Sequence, residues 1–254
     1  MAITIKSERE IELMAEAGKI LEWVHNELEK ALRPGMSTKD IDTLGEEIIR
    51  SYGCIPSFLN YNGYPASICV SVNQEVVHGI PDKHRIIQEG DIVSLDAGVI
   101  YKGYHSDAAR THAVGEVSEE AKKLIQVTKE SFFEGIKFAK AGNHLFDISG
   151  AIGRYAEERG YGVVRDLCGH GIGTALHESP EIPNYEVGRK GVRLRPGMTL
   201  AIEPMINIGT HEVDWLDDDW TVVTRDGSLS AHYENTILIT EGEPRILSLT
   251  CENE

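Results

Sequence analysis

The amino-acid sequence predicts an α+β protein in which two similar halves share a central antiparallel sheet and carry their helices outside. An internal repeat is the first sign of this. RPGMSTKDI (33–41) aligns with KAGNHLFDI (140–148), and EGDIVSLD (89–96) with PGMTLAIE (196–203), both at an offset of 107 (140 − 33 and 203 − 96). Element order is the second, because each half opens with two helical patterns and closes with strands. The third is that the later match superposes acid on acid, making Asp96 and Glu203 symmetry mates. The chain reads as a single domain, 1–254, with halves of about 1–116 and 117–254.

Each element has a local cause. Ser7 and Glu10 form an S-x-x-E capping box, and Ile11, Met14, Ala15, Gly18, Leu21 and Leu28 recur near helical spacing until Pro34-Gly35. Ser37 or Thr38 caps a second helix carrying Ile41, Leu44, Ile48 and Ile49, which Gly53 stops. FLNYNGYPASICVSV (58–72) reads as an aromatic loop feeding a strand. DIVSLDAGVIYKGYHSDAARTHAVG reads as two strands joined at Lys102-Gly103, with Asp96 on one and Asp107 on the other. Helix returns over 118–141, capped by Ser118 and stopped at Lys140-Ala141-Gly142, and again over 144–160.

A formal charge of −16, from 41 acids against 25 bases, excludes a broad nucleic-acid footprint, since phosphate binding needs clustered Lys and Arg. No direct DNA binding is expected. The first twenty residues lack the uninterrupted apolar run of a signal peptide, and no later stretch approaches membrane-spanning length. A cytoplasmic, membrane-free protein is expected. Cys54, Cys69, Cys168 and Cys251 show no C-x-x-C spacing, so they read as thiols rather than a zinc or redox motif.

The chemistry is expected around CGHGIGTALHE (168–178), where His170 and His177 sit among Gly169, Gly171 and Gly173. Alternating glycines suit neither a helix nor a well-packed strand interior, and they suggest a backbone lying close to something bound. SLDAG, YHSDAART, LAIEPM and SAHYENT each place one acid, Asp96, Asp107, Glu203 and Glu234, in an apolar or small-residue setting. Acids in such settings are rarely buried unless paired or metal-bound. On hairpin arms Asp96 and Asp107 would face each other within about 5.5 Å and share a cation. Glu203 and Glu234 would form the opposite wall, and His170 would add a nitrogen. Five such ligands suit two divalent ions better than one, and an oxygen-rich set with one imidazole suits Co, Mn, Fe or Zn. His78 and His177 are left over, and either can hydrogen-bond a substrate carbonyl.

Taken together, VVHGIP, SLDAG, DAART, GHGIGTALHE, IEPM and YENT closely resemble the methionine aminopeptidases, over essentially the whole chain. The resemblance implies the pita-bread fold. It implies a dinuclear site of Asp96, Asp107, His170, Glu203 and Glu234, with Asp107 and Glu234 bridging and Glu203 also relaying protons. His78 and His177 become catalytic groups that contact substrate. The side-chain pocket falls on Tyr61, Tyr64, Cys69, Leu176 and Trp220 with Phe58 at its edge, although Phe58, Tyr61 and Tyr64 also read as core aromatics. Asn62 and Leu176 depart from many bacterial members, which bears on pocket shape. With His170 and Glu203 only 33 positions apart and no cysteine-rich extension ahead of the first helix, the chain is similar to the short bacterial type I form.

The implied reaction is removal of the initiator methionine from nascent chains, preferring a small second residue, by metal-activated water. Implied partners are polypeptide N-termini beginning with Met and a transient ribosome contact, with the enzyme a monomer. An Xaa-Pro aminopeptidase of the same fold, or a non-catalytic peptide-binding relative, is the alternative. The run Asp217-Asp218-Asp219 reads as a solvated loop, or as charge near the pocket that Trp220 lines.

Overall fold

A computed structural model describes residues 3–249. Helix α1 (Glu8–Ala31) starts at the expected box: the Ser7 side chain accepts from the Glu10 N–H, and the Glu10 carboxylate accepts from the Ser7 N–H at 2.7 Å. Its stripe of Met14, Ala17, Leu21, Val24 and Leu28 is buried. Helix α2 (Thr38–Ser51) is capped by Ser37, which exchanges the same pair of bonds with Asp40. Short β1 (Ile55–Pro56), then β2 (Ile68–Val72) and β3 (Glu75–Val77), lead to the long hairpin of β4 (Ile92–Tyr101) and β5 (Tyr104–Ala113). Lys102 and Gly103 both take positive φ, 49° and 87°, the geometry a two-residue hairpin turn needs to match strand twist.

In the second half α3 (Glu119–Ile136) is capped by Ser118 as expected but stops short of Lys140. The chain beyond it tightens into successive turns, with the Phe138 N–H donating to Gly135 O and the Ala139 N–H to Ile136 O. Ala139 stays buried without a helix, so burial there imitated helical periodicity. Helix α4 (Leu145–Glu157) begins where the His144 N–H meets the Asp147 carboxylate. Strands β6 (Gly162–Val163), β7 (Gly169–Gly171), β8 (Glu178–Ile182) and β9 (Thr199–Ile202) follow. Then come β10 (Met205–Asn207), β11 (Val213–Trp215), β12 (Val222–Thr224), β13 (Ser230–His232), β14 (Glu234–Leu238) and β15 (Arg245–Ile246).

The main sheet runs β1-β4-β5-β14-β9-β7-β8, with β2 also on β4 and β15 on β14. All its pairings are antiparallel. The halves meet at β5–β14, a seam of two residue pairs, Glu234 with Ala109 and Asn235 with Ala108. The repeat is written into the hydrogen bonds. Gly35 N–H donates to Ile87 O (2.9 Å) and Ile87 N–H to Met36 O (2.8 Å). At the positions 107 later, Gly142 N–H donates to Leu194 O (3.0 Å) and Leu194 N–H to Asn143 O (2.8 Å).

One apolar core under α1 and α2 (Leu21, Leu28, Ile41, Ile68, Leu95) and its counterpart under α3 and α4 (Phe132, Ile148, Leu200, Ile237) hold the halves. A third cluster between them, with Phe58, Tyr64, Cys69, Ile172 and Leu176, lines the site. Among the described residues no helix is long and apolar enough to cross a membrane. Cys54, Cys69 and Cys168 are free thiols; Cys251 lies outside the described residues.

Candidate active site

Asp96 lies on β4 opposite Ala109, and Asp107 on β5 opposite Gly98. They share a face but sit diagonally, correcting the expectation that they oppose each other directly. The two-residue turn is the reason: by pairing Tyr101 with Tyr104 it fixes a register that displaces the acids by two residues. Glu234 enters β14, also opposite Ala109, Glu203 follows the end of β9, and His170 stands on β7 opposite Ala201. Donor atoms of Asp107, His170 and Glu234 all lie within 4.8 Å of one another. His170 Nε2 is 3.8 Å from Asp107 Oδ2 and 3.7 Å from Glu203 Oε1. Its Nδ1 lies 2.9 Å from Gly171 O; donation there leaves the Nε2 lone pair facing the acids and free to bind a cation.

Four carboxylates packed this way strain electrostatics. Burial pushes Asp96 up to about 8. Burial first, then Asp96 and Glu203, raises Asp107 well above the carboxylate range. Burial and Asp96 do the same to Glu203, and burial with Asp107, Glu203 and Asp96 to Glu234. Burial, with His177 beside it, lowers His170 to about 3. Asp96 Oδ1, Asp107 Oδ1 and Glu234 Oε1 are buried with no hydrogen-bond partner. Bound divalent cation answers all of this at once: it neutralises the acids, takes the orphaned oxygens and uses the imidazole as its neutral base. The donor set fits a metal.

A cavity of about 150 Å³ opens directly on these ligands. The structure brings every candidate to it: Phe58, Tyr61, Tyr64, Cys69, Leu176 and Trp220 as walls, and His78 and His177 beside the acids. Phe58, Tyr64, Cys69 and Leu176 are also buried members of the third core cluster, with Tyr61 and Trp220 packed against it, so the core and pocket readings of the aromatics are one. Tyr64 donates its hydroxyl to Gly79 O at 2.9 Å and meets the Trp220 ring edge-on at 5.1 Å. Tyr61 Oη lies 2.7 Å from His177 Nδ1, and the rings of His170 and His177 are 4.2 Å apart. His78 takes a left-handed backbone, φ 60°, a cost that persists only where the surroundings over-determine it. Its neighbour Gly79 packs so closely on β2 that a Cβ would lie 2.3 Å from Val70 O. Burial holds His78 at about 4 and His177 below its ordinary value, so both are neutral near pH 7.

One further expectation changes. Gly169 and Gly171 do lie in a strand, β7, packed against the protein's own backbone, while Gly173 packs against side chains. A Cβ on Gly169 would lie 2.4 Å from Ala201 O, one on Gly171 2.2 Å from Ser179 O, and one on Gly173 2.5 Å from Glu178 and Lys6. In the acidic run Asp217, Asp218 and Asp219 are all exposed, as expected of a solvated loop, and Asp218 also accepts from the N–H groups of Trp220 (2.9 Å) and Thr221 (2.8 Å), which positions the tryptophan.

Sequence reasoning assigned no role to three participants. Asn62, seen only as a departure, lines the cavity with φ 49°. Lys6 donates to Glu178, next to His177, at 2.6 Å. His232, two residues before Glu234, places Nε2 3.8 Å from Glu203 Oε2. The histidine stood in plain view in SAHYENT, but its orientation depends on β13.

The fold and the acid-rich centre define a metal-dependent peptidase, and comparison with known proteins agrees. A family model described as metallopeptidase family M24 matches residues 12–241. A methionine aminopeptidase of Clostridium acetobutylicum is 58% identical over 98% of this chain and 100% of its own length. The crystal structure of methionine aminopeptidase from Thermotoga maritima superposes with a TM-score of 0.96 at 47% identity, covering 98% of this chain and 100% of that one. An Xaa-Pro dipeptidase from Bacillus anthracis is more distant, with a TM-score of 0.78 at 27% identity over 62% of its length. The chain belongs to metallopeptidase family M24, and within it to the methionine aminopeptidase branch.

Proposed function

We propose that this single catalytic domain removes the N-terminal methionine from peptides and nascent polypeptides, preferring a small second residue. The carrying observation is juxtaposition: the buried acid and histidine set opens straight onto an aromatic and sulfur-lined cavity of about 150 Å³, suited to an unbranched thioether. Asp96, Asp107, His170, Glu203 and Glu234 would hold two divalent ions, for which Co, Mn, Fe and Zn are the candidates. When bound, they polarise the scissile carbonyl and lower the pKa of the attacking water.

The side chains do the rest. Phe58, Tyr61, Tyr64, Cys69, Leu176 and Trp220 exclude water and fix the methionine side chain. His78 and His177, neutral through burial, donate N–H groups to the substrate carbonyl and the charge that develops on it. Tyr61 orients His177: hydroxyl donation to Nδ1 leaves the proton on Nε2. Glu203 accepts a proton from the attacking water and returns it to the departing amine as the C–N bond breaks.

The test is cleavage of Met-Ala-Ser and Ala-Pro-Ala by chelated protein resupplied separately with Mn, Co, Fe and Zn, following free amino acid. Methionine release restored by metal is expected, and the rates rank the cations. Release of alanine from the proline peptide alone moves the assignment to the Xaa-Pro branch, and no release from either peptide by metal-loaded protein overturns both.

A further inference from the structure

His232 is 1% exposed, yet neither ring nitrogen has a hydrogen-bond partner. Native proteins rarely leave a buried imidazole so. The residue is not loosely held: its N–H donates to Thr111 Oγ1 and its carbonyl accepts from that hydroxyl, both at 2.9 Å. Strand pairing adds a second restraint, since His232 sits opposite Met205, two residues beyond Glu203. The ring is therefore fixed relative to Glu203, and its Nε2 stops 3.8 Å from Oε2. That gap is too long for a hydrogen bond. The other carboxylate oxygen, Oε1, points the opposite way, 3.7 Å from His170 Nε2. On its far side His232 lines a cavity of about 280 Å³ shared with His25, Arg110, His112 and Tyr233, polar and roomy enough to hold water.

Taking the metal-binding role of Glu203 given above, we propose that His232 is a positioning residue for Glu203: its Nε2–H donates to Oε2 and holds the carboxylate with Oε1 toward the metal side. A neutral imidazole carries one N–H and one lone pair. An acceptor-only carboxylate draws the N–H to Nε2. Reaching N–H···O distance means closing roughly 0.6–1 Å, which a side-chain rotation of Glu203 supplies once its charge is neutralised. Hydrogen bonding of a ligating carboxylate from behind fixes its orientation and raises metal affinity.

The comparison is between His232→Gln, which keeps a donor of similar reach, and His232→Leu, which keeps bulk without one. Calorimetric titration of chelated protein with Mn is read beside kcat and KM for Met-Ala-Ser. For the leucine variant the expected result is Mn affinity down about ten- to hundred-fold and kcat down with KM little changed, while glutamine restores both most of the way. Should the leucine variant not fold, His232→Asn takes its place as a donor too short to reach, and it must bind Mn more weakly than the glutamine variant. Leucine, or asparagine in its place, with wild-type Mn affinity overturns the proposal, as does equal impairment in it and glutamine. Calorimetry reads this even if wild type releases no methionine, an outcome that would count against the activity instead.

Discussion

The two halves deliver matching acids by different means. In the first, Asp96 and Asp107 arrive on one uninterrupted hairpin of two ten-residue strands. In the second, Glu203 follows a four-residue strand and Glu234 opens a five-residue one, with residues 204–233 between them. Accordingly the offset between partners grows from 107 (203 − 96) to 127 (234 − 107). The added chain builds β10 to β13 in two small sheets, and it carries Trp220 to the cavity mouth and His232 to the back of Glu203. Strands β2 and β7 diverge in the same spirit: flanking β4 and β9, they give Cys69 to the pocket and His170 to the acids. The duplicated frame places negative charge, and departures from the duplication place cavity walls.

If the frame is functionally symmetric, Asp107→Asn and Glu234→Gln, on either side of the seam, fail alike. Each is expected to lower kcat/KM by more than about a hundred-fold, beyond the range of outer-shell changes, and to cost metal binding by calorimetry. A loss confined to one of them would break the equivalence.

The acids also set how the metal-free protein responds to pH. Their raised values mean the folded state keeps protons that the unfolded chain releases above the ordinary carboxylate range, so their contribution to stability is lost as pH rises toward about 8, the value of Asp96. His25 acts with the opposite sign. Burial holds it well below its ordinary value, so the unfolded chain takes its proton first and stability is lost as pH falls below about 6.5. Thermal melts of chelated protein between pH 6.5 and 8 should therefore show falling stability, at up to about 1.4 kcal/mol per pH unit per fully shifted acid. Saturating Mn should remove that slope; its persistence with metal bound would separate the acids from the ligand role.

The halves are cross-braced by a segment outside the repeat. Lys6 N–H donates to Gly197 O, and Lys6 Nζ pairs with Glu178 at 2.6 Å with side chains only 5% and 13% exposed. Burial pushes the Glu178 carboxyl up, but the bonds from Lys6 and Thr4 hold it below its usual range. Lys6→Met leaves that carboxylate without its cation and should cost about 3 kcal/mol by urea denaturation. A change within 0.5 kcal/mol would show the brace to be ornamental to stability.

The smallest effect falls on the inserted region. Trp220→Ala should raise KM for Met-Ala-Ser about ten-fold, roughly 1.4 kcal/mol of lost pocket contact, with metal stoichiometry unchanged. Metal loss in that variant would mean that insert and frame are not separable.

Local chemistry made much of this legible. The Ser7–Glu10 box, the cap at Ser37 or Thr38, the Lys102-Gly103 turn and the repeat are short-range or periodic signals, and the structure honours each, choosing Ser37 and adding a box with Asp40. The acid and histidine motifs were legible as a set, because acids in apolar surroundings imply a partner before any fold is known. What the residues alone could not fix depends on register and on contacts far apart in sequence. Asp96 and Asp107 sit diagonally because a turn sets pairing, and Gly169 and Gly171 are glycines because neighbouring carbonyls crowd β7. Helix α3 ends early because burial can imitate a helical period. Lys6 meets Glu178 across 172 positions, and His232 faces Glu203 only because β13 pairs with β10. The sequence by itself determined which acids and histidines gather at one cavity and the frame that repeats them; only tertiary structure decided which atoms face which, since strand register and packing distance are properties of the assembled sheet.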